Sequence, residues 1–252
     1  VKLGVATGFD SGTTLDYVYR NRAEGLTPLG RLIDRNYLNA IGWRGIRLRK
    51  IHLEKLLRRA MSELHAAGEP VHIVDIAAGH GRYVLDAVRE QSRNSRDRGA
   101  AGFQRCNVEA GRAAHRRTVW RSLCLRAGRR LRSGQPRRPT ARRHGRHRLR
   151  AVRAVPRKWA GAGVVGWFGR GGVTPGGYLI YTGQPWHPQI EFIARVLSSH
   201  RDGKPWVMRR RSQQEMDQLV AAAGFEKIAQ ETDPWGIFTV SLAGVALEPG
   251  HA

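Results

Sequence analysis

The stretch Val71 to Val88, VHIVDIAAGHGRYVLDAV, constrains this chain more than any other. Val71, Ile73, Val74 and Ile76 suit a buried strand, because β-branched side chains pack well on a pleated surface. Asp75 falls at the strand's end, where its carboxylate can accept hydrogen bonds from loop amides or a ligand. Ala77, Ala78, Gly79 and Gly81 allow a sharp turn and a close backbone approach. Tyr83 to Val88 then opens a helix whose first N–H groups point back at the loop. Such a β-loop-α unit begins a nucleotide-type site. Dinucleotide sites share it, and an ordinary strand-to-helix turn in an α/β domain is the plainer alternative.

The surrounding chain divides by periodicity. Residues 1 to 14 read as irregular, and Leu15 to Arg22 and Pro28 to Leu38 as helices, with Thr27 and Pro28 as a cap and first-turn pair. Ile46 to Ala67 is a longer helix with an apolar stripe of Ile51, Leu53, Leu56, Leu57, Ala60, Met61 and Leu64, stopped by Gly68. Beyond Pro175, PGGYLIYTGQPW reads as a turn, the strand Tyr178 to Tyr181 and a loop. A helix follows over Gln189 to Ser199. Ser212 and Glu215 have the spacing of a capping box for the next one, and Gly224 stops it. Phe225 to Ile228 and Trp235 to Leu242 supply the last strands.

At the glycine loop the chain resembles the class I S-adenosylmethionine (SAM) methyltransferases, whose first motif is a strand, an acidic residue and a loop of the type x-G-x-G-x-G. Asp75 matches the acidic position, Gly79 and Gly81 match the last two glycines, and Ala77 stands where the first is usual. The P-G-G turn into a fifth strand and the S-x-x-E…AGF…I ending resemble the same family. The likeness is to a bacterial group of such methyltransferases, some fused to an α/β-hydrolase domain. It covers roughly residues 12 to 91 and 174 to 243; the G-x-S-x-G elbow of a hydrolase is absent from this sequence.

This resemblance implies an α/β, Rossmann-like fold: a mostly parallel sheet, helices on both faces and an N-terminal helical extension. Residues 1–69 would form the extension or lid, 70–243 the SAM-binding domain and 244–252 a tail. SAM is the implied cofactor, held by Asp75, Ala77, Ala78, Gly79, Gly81 and Tyr83. Tyr181, Gln184 and Trp186 are the implied substrate contacts, for a small-molecule or lipid-like acceptor. His187 is the candidate general base, and a packing role is its alternative. Tyr17, Tyr19, Asn36, Tyr37 and Arg44 are conceivable lid residues, with packing or solvation as their alternative. Arg209, Arg210 and Arg211 suit an anionic substrate or a solvated face. No metal is implied, since two cysteines make neither a disulfide framework nor a metal cluster.

Charge complicates this reading. Of the formal net charge of +24, residues 92–173 hold 23 Lys and Arg against two acids, and no acid occurs between Glu109 and Glu191. A parallel sheet needs near-continuous apolar strands in this part of the chain. The second acidic residue that the family uses for the ribose has no clear counterpart. Three readings remain. The Arg-rich block 112–158 is a nucleic-acid arm, its guanidinium groups on phosphates and tryptophans at 120, 159 and 167 on bases, as in an RNA methyltransferase. It is a charge-rich insertion without a specific partner. Or 92–173 is a GC-rich stretch translated out of frame, since shifted GC-rich codons yield Arg, Ala, Gly and Pro.

Val152 to Gly166 can be encoded by DNA whose neighbouring frame spells approximately LYELFP-NGLVLASL, and Gly166 to Val173 continues it as roughly AGLAEAV. Gly102 to Arg105 can conceal RDFS, an acidic residue just before the in-frame NVEAG of Asn107 to Gly111. With no membrane-length apolar run and no signal-peptide pattern, a cytoplasmic address is the default expectation. The chain opens on Val1 rather than Met, as expected of a trimmed chain or a fragment. On the out-of-frame reading, protein made from the native gene yields peptides like LYELFP and SLAGLAEAV in mass-spectrometric mapping. Peptides matching the Arg-rich text overturn it.

Overall fold

The computed structural model describes residues 1–69, 71–76, 80–97, 107–111, 123–124, 151–155, 173 and 176–245. Four helices come first: α1 (Lys2–Thr7), α2 (Gly12–Arg20), α3 (Pro28–Leu38) and α4 (Ile41–Ala66). Strand β1 (His72–Ile76) and helix α5 (Arg82–Asp97) follow, then β2 (Asn107–Gly111), β3 (Leu123–Cys124) and β4 (Ala151–Val155). The chain closes with β5 (Tyr178–Gly183), α6 (Ile190–Val196), α7 (Gln213–Ala222), β6 (Phe225–Thr232) and β7 (Thr239–Val245).

The seven strands form one sheet in the order β3-β2-β1-β4-β5-β7-β6. β2, β1, β4 and β5 are mutually parallel. β7 is inserted antiparallel between β5 and β6, and the short β3 runs antiparallel to β2. The order reverses between β1 and β4, and in open α/β sheets ligands bind outside the carboxyl ends of the strands at that point. A dinucleotide-binding sheet runs 3-2-1-4-5-6. The inserted β7 sets this sheet apart from it.

Strand alternation explains why both faces are covered. Ile180 of β5 and Val240 and Leu242 of β7 face α4 and α5, where they join Leu53, Leu56, Leu57, Ala60, Met61 and Leu64 with Val84, Ala87 and Val88. Their neighbours Leu179, Tyr181 and Ala243 face the other way, against Met216 and Val220 of α7. Each fully buried large aliphatic side chain contributes about 1.5–3 kcal/mol. Across the rim of the first layer, Lys50 reaches Asp86 at 2.9 Å and Arg58 reaches Glu90 at 2.7 Å. α4 is thus part of the sheet's own core, not a detachable cover.

A third cluster docks the N-terminal helices. Phe9, Tyr17, Val18, Leu38, Trp43 and Ile46 pack on Ile237 and Phe238 of the β6–β7 turn. Gly45 is required there, since a Cβ would lie 2.8 Å from the Phe238 ring. Asp10 clasps the far segment, accepting from Ser199 Oγ at 2.9 Å and from the His200 N–H at 2.7 Å.

Several expectations need correction. Residues 2–7 are helical, and α4 begins at Ile41, five residues early. Ile51 is exposed, because it lies about 200° round the helix from Leu53. The helix after β5 is shorter than 189–199; only Ile193 of it is buried, and Val196 is exposed. Trp235 to Phe238 are not strand. Asp233 accepts the N–H groups of Trp235 (2.9 Å), Ile237 (3.2 Å) and Phe238 (2.5 Å), folding them into a turn. β7 runs to Val245, so the tail starts later than 244. Strands β2, β3 and β4 come from the 92–173 stretch that did not read as sheet; β4 takes its one AVRAV run. Apart from the end of α5 and Val173, the rest of that stretch, including 102–105 and most of 112–158, lies outside the described residues.

Candidate functional site

At the carboxyl end of β1, Asp75 is fully buried. The Tyr83 hydroxyl, from the first turn of α5, donates to its Oδ2 at 2.5 Å. Among the described residues nothing hydrogen bonds to Oδ1. Burial pushes this carboxyl up to about 7, against the lowering pull of the Tyr83 hydroxyl. Burial likewise pushes the Tyr83 phenol well up, and the charge of Asp75 adds to it. A buried polar atom without a partner costs free energy, so Oδ1 is an acceptor ready for a donor from a ligand.

Ala77, Ala78 and Gly79 lie outside the described residues. Gly81 adopts φ 63°, in the left-handed region, and among the described residues a Cβ there would meet no atom within 4 Å. Conformation, not space, demands glycine at this point. The turn hands the chain to α5, whose N-terminal N–H groups and dipole favour negative charge.

Helix α2 closes over this corner. Arg82 grips Asp16 with two hydrogen bonds, Nε to Oδ1 at 2.6 Å and Nη2 to Oδ2 at 3.1 Å. Those bonds hold the Asp16 carboxyl below its usual range. His80 Nδ1 lies 3.2 Å from the Gly12 carbonyl oxygen. Tyr19 and Arg49 both lie close enough to act electrostatically on Tyr83. The Arg49 guanidinium covers the Phe238 ring at 4.9 Å and has no ion pair among the described residues. Sequence reasoning missed Asp16, Arg49, Arg82 and Phe238. The only local signal was a helical turn from Gly45 to Arg49.

The other lid candidates divide. Tyr17 donates to Asp34 Oδ2 at 3.0 Å, and Tyr37 packs at tilted angles between Phe9 and Trp43. Asn36 is exposed, and Arg44 lies over the Trp235 ring at 4.8 Å.

The residues after β5 are not all brought to one place. Tyr181 points to the α7 face, its hydroxyl donating to Asp217 Oδ1 at 2.9 Å, because alternation along β5 sends it there. Gln184 is buried, its amide 3.6 Å from Met208 Sδ. Trp186 is half exposed and donates from Nε1 to the Trp235 carbonyl at 3.2 Å. His187 is buried, Nδ1 accepting the Gln189 N–H at 3.0 Å, with its Nε2 edge against Gly42 of α4. With Nδ1 accepting, the neutral ring carries its hydrogen on Nε2, so that nitrogen is a donor and not a base. Arg211 pairs with Glu215 at 3.2 Å. Among the described residues no group of three or more His, Cys, Asp or Glu side chains is placed to hold a metal.

The raised Asp75 carboxyl has a consequence for stability. In an unfolded chain it ionises near about 3.9, and in the folded protein near about 7. Between these values the folded state binds more protons, so this group's contribution falls as pH rises. Asp75→Asn is therefore expected to be more stable than the parent at pH 8, with the gain shrinking toward pH 4. Urea denaturation at each pH measures the difference; a gap constant with pH contradicts it.

Residues 1–126 and 168–245 match the family described as Putative methyltransferase, with a break across 127–167. The uncharacterized protein YnbC of Escherichia coli is 47% identical over 253 residues, which cover 96% of this chain and 41% of that protein. The chain thus spans about two fifths of that relative. Among solved structures, a possible exported protein from Bordetella parapertussis is similar with a TM-score of 0.51 at 13% identity, covering 94% of this chain and 79% of that one. Magnesium protoporphyrin IX methyltransferase (ChlM) from Synechocystis, solved with bound S-adenosylhomocysteine (SAH), is similar at a TM-score of 0.45 and 10% identity, over 96% and 98% of the two chains. With the family matched over most of its length and the sheet order described above, this chain belongs to the Putative methyltransferase family and has its Rossmann-like α/β fold.

Proposed function

We propose that this chain is a class I SAM-dependent methyltransferase acting on a small-molecule or lipid-like acceptor. The observation that carries the reading is Asp75, buried at the point where the strand order reverses, with Oδ1 open to a donor. Family membership supports methyl transfer as the reaction. Bound at this edge, SAM supplies a methyl group already activated on a sulfonium.

The chain's own residues have the simpler task of binding and aiming. Asp75 accepts a hydrogen bond from a cofactor hydroxyl or ammonium group, which also draws its carboxyl toward the ionised form. Tyr83 fixes the other oxygen, and so the carboxylate plane. The first turn of α5 presents backbone N–H groups. Arg49 offers charge to a carboxylate, since no ion pair occupies it among the described residues. Asp16 and Arg82 hold α2 over the corner and limit water. The acceptor side falls to Gln184 and Trp186, while His187, with Nδ1 engaged by Gln189 and Nε2 against Gly42, packs behind them rather than serving as the base. Holding donor and acceptor in line is the larger part of catalysis for a preactivated methyl group.

Isothermal titration calorimetry tests this reading. The chain is expected to bind SAH and not NAD⁺, and Asp75→Ala is expected to weaken SAH about tenfold to a hundredfold, the loss of a charge-assisted hydrogen bond. Unchanged SAH affinity in the variant, or binding of NAD⁺ instead, contradicts it.

A further inference from the structure

Helix α3 turns its apolar stripe away from the protein. Leu29 and Leu32 are each 65% exposed and Ile33 52%, while Leu26, just ahead of the helix, is 93% exposed. Only Leu38, at the far end, is buried. Surface helices of globular proteins ordinarily do the reverse. The orientation is set by Tyr37 and Leu38, which pack in the third cluster, and by polar ties near them. Thr27 caps the helix by accepting the Gly30 N–H at 3.0 Å, and Asp34 accepts from the Tyr17 hydroxyl at 3.0 Å. Arg47 donates to the Leu38 carbonyl at 2.8 Å. The stripe is therefore held outward, and its members at spacings of three and four lie side by side.

The charge around this row has one sign. Arg31 and Arg35 lie one turn apart on the exposed side beside Leu32, and Arg22 precedes the helix; none forms an ion pair among the described residues. The nearby acids are engaged, Glu24 by Arg20 at 2.7 Å and Asp34 by Tyr17. An exposed aliphatic row with an unneutralised arginine edge is the composition of a helix lying in a membrane interface. The core of a protein interface favours aromatic residues, and this row has none. A protein partner would also have to bring carboxylates to these arginines.

We propose that α3 seats this chain on the surface of an anionic lipid bilayer. The Leu26, Leu29, Leu32 and Ile33 side chains enter the headgroup boundary, and Arg31 and Arg35 meet lipid phosphates. This is surface docking, not spanning, in keeping with the lack among the described residues of any helix long and apolar enough to cross a membrane. α3 belongs to the same N-terminal extension whose α2 reaches His80 and Arg82. If the proposed methyl transfer holds, a lipid-like acceptor has a short route to the site; the docking itself does not depend on it.

Vesicle sedimentation of the full 252-residue chain tests the proposal, using phosphatidylcholine with and without added phosphatidylglycerol. The triple variant Leu29→Gln, Leu32→Gln and Ile33→Gln changes only exposed side chains and leaves the net charge intact, Arg-rich stretch included. Its partition onto phosphatidylglycerol vesicles is expected to fall about tenfold or more. SAH binding by the same variant should be unchanged, which separates this proposal from the proposed activity. Equal partition of parent and variant overturns the proposal, because charge alone then explains binding. A concentration-dependent dimer lost in the variant, without vesicle binding by the parent, also overturns it and makes the row a protein interface.

Discussion

Asp75 has no exposed surface, and taking a carboxylate out of water costs several kcal/mol unless it is neutralised or hydrogen bonded. The protein meets half of that requirement. Tyr83 satisfies one oxygen from the first turn of α5, and burial leaves the carboxyl with a raised affinity for a proton. At the proposed SAM site, a ligand that donates to the remaining oxygen would relieve the penalty and so gain binding free energy from it. Replacing the carboxyl with an uncharged group removes the penalty together with the site. Stability and binding are thus opposed at this one residue, as is common where function needs a strained or desolvated group.

The rest of the architecture keeps that corner closed. α4 belongs to the main core through Leu57, Ala60 and Met61, and it fixes the place from which Arg49 reaches the Phe238 ring. The turn after β6 exists because Asp233 takes three backbone N–H groups, and it presents Ile237 and Phe238 to the N-terminal helices. α2 is then held from two directions, by the aromatic cluster beneath it and by Arg82 at its flank. The outward row on α3 is a by-product of neither. Its inner face is held by Tyr37 and Leu38 at the C-terminal end, packed in the aromatic cluster, and by polar ties to Tyr17, Glu24 and Arg47.

Helix caps and the end of the first strand were legible from residues close in sequence. Thr27 and Pro28 gave the start of α3, Ser212 gave the start of α7 with its Oγ accepting the Glu215 N–H at 3.0 Å, and Asp75 gave the end of β1. Features that depend on distant partners were hidden. Asp16 and Arg82 are 66 residues apart, and no local pattern announces their pairing. One local feature was hidden as well: Trp235 to Phe238 read as strand because aromatic and β-branched residues favour it, yet the buried Asp233 carboxylate just ahead claims their amides. Periodicity identified α3 but not the direction of its stripe, since a spacing carries no information about which side meets solvent. β4 was obscured by the arginines around its five residues, although its register against both β1 and β5 places it in the middle of the sheet.

The most direct measurement of the central claim is amide hydrogen exchange of the chain with and without SAH. The account predicts slowed exchange at the end of β1, through 77–83 and across α2, with α7 on the opposite face unchanged. Protection absent from both β1 and α2, or reproduced by NAD⁺, would contradict a SAM site at this edge of the sheet.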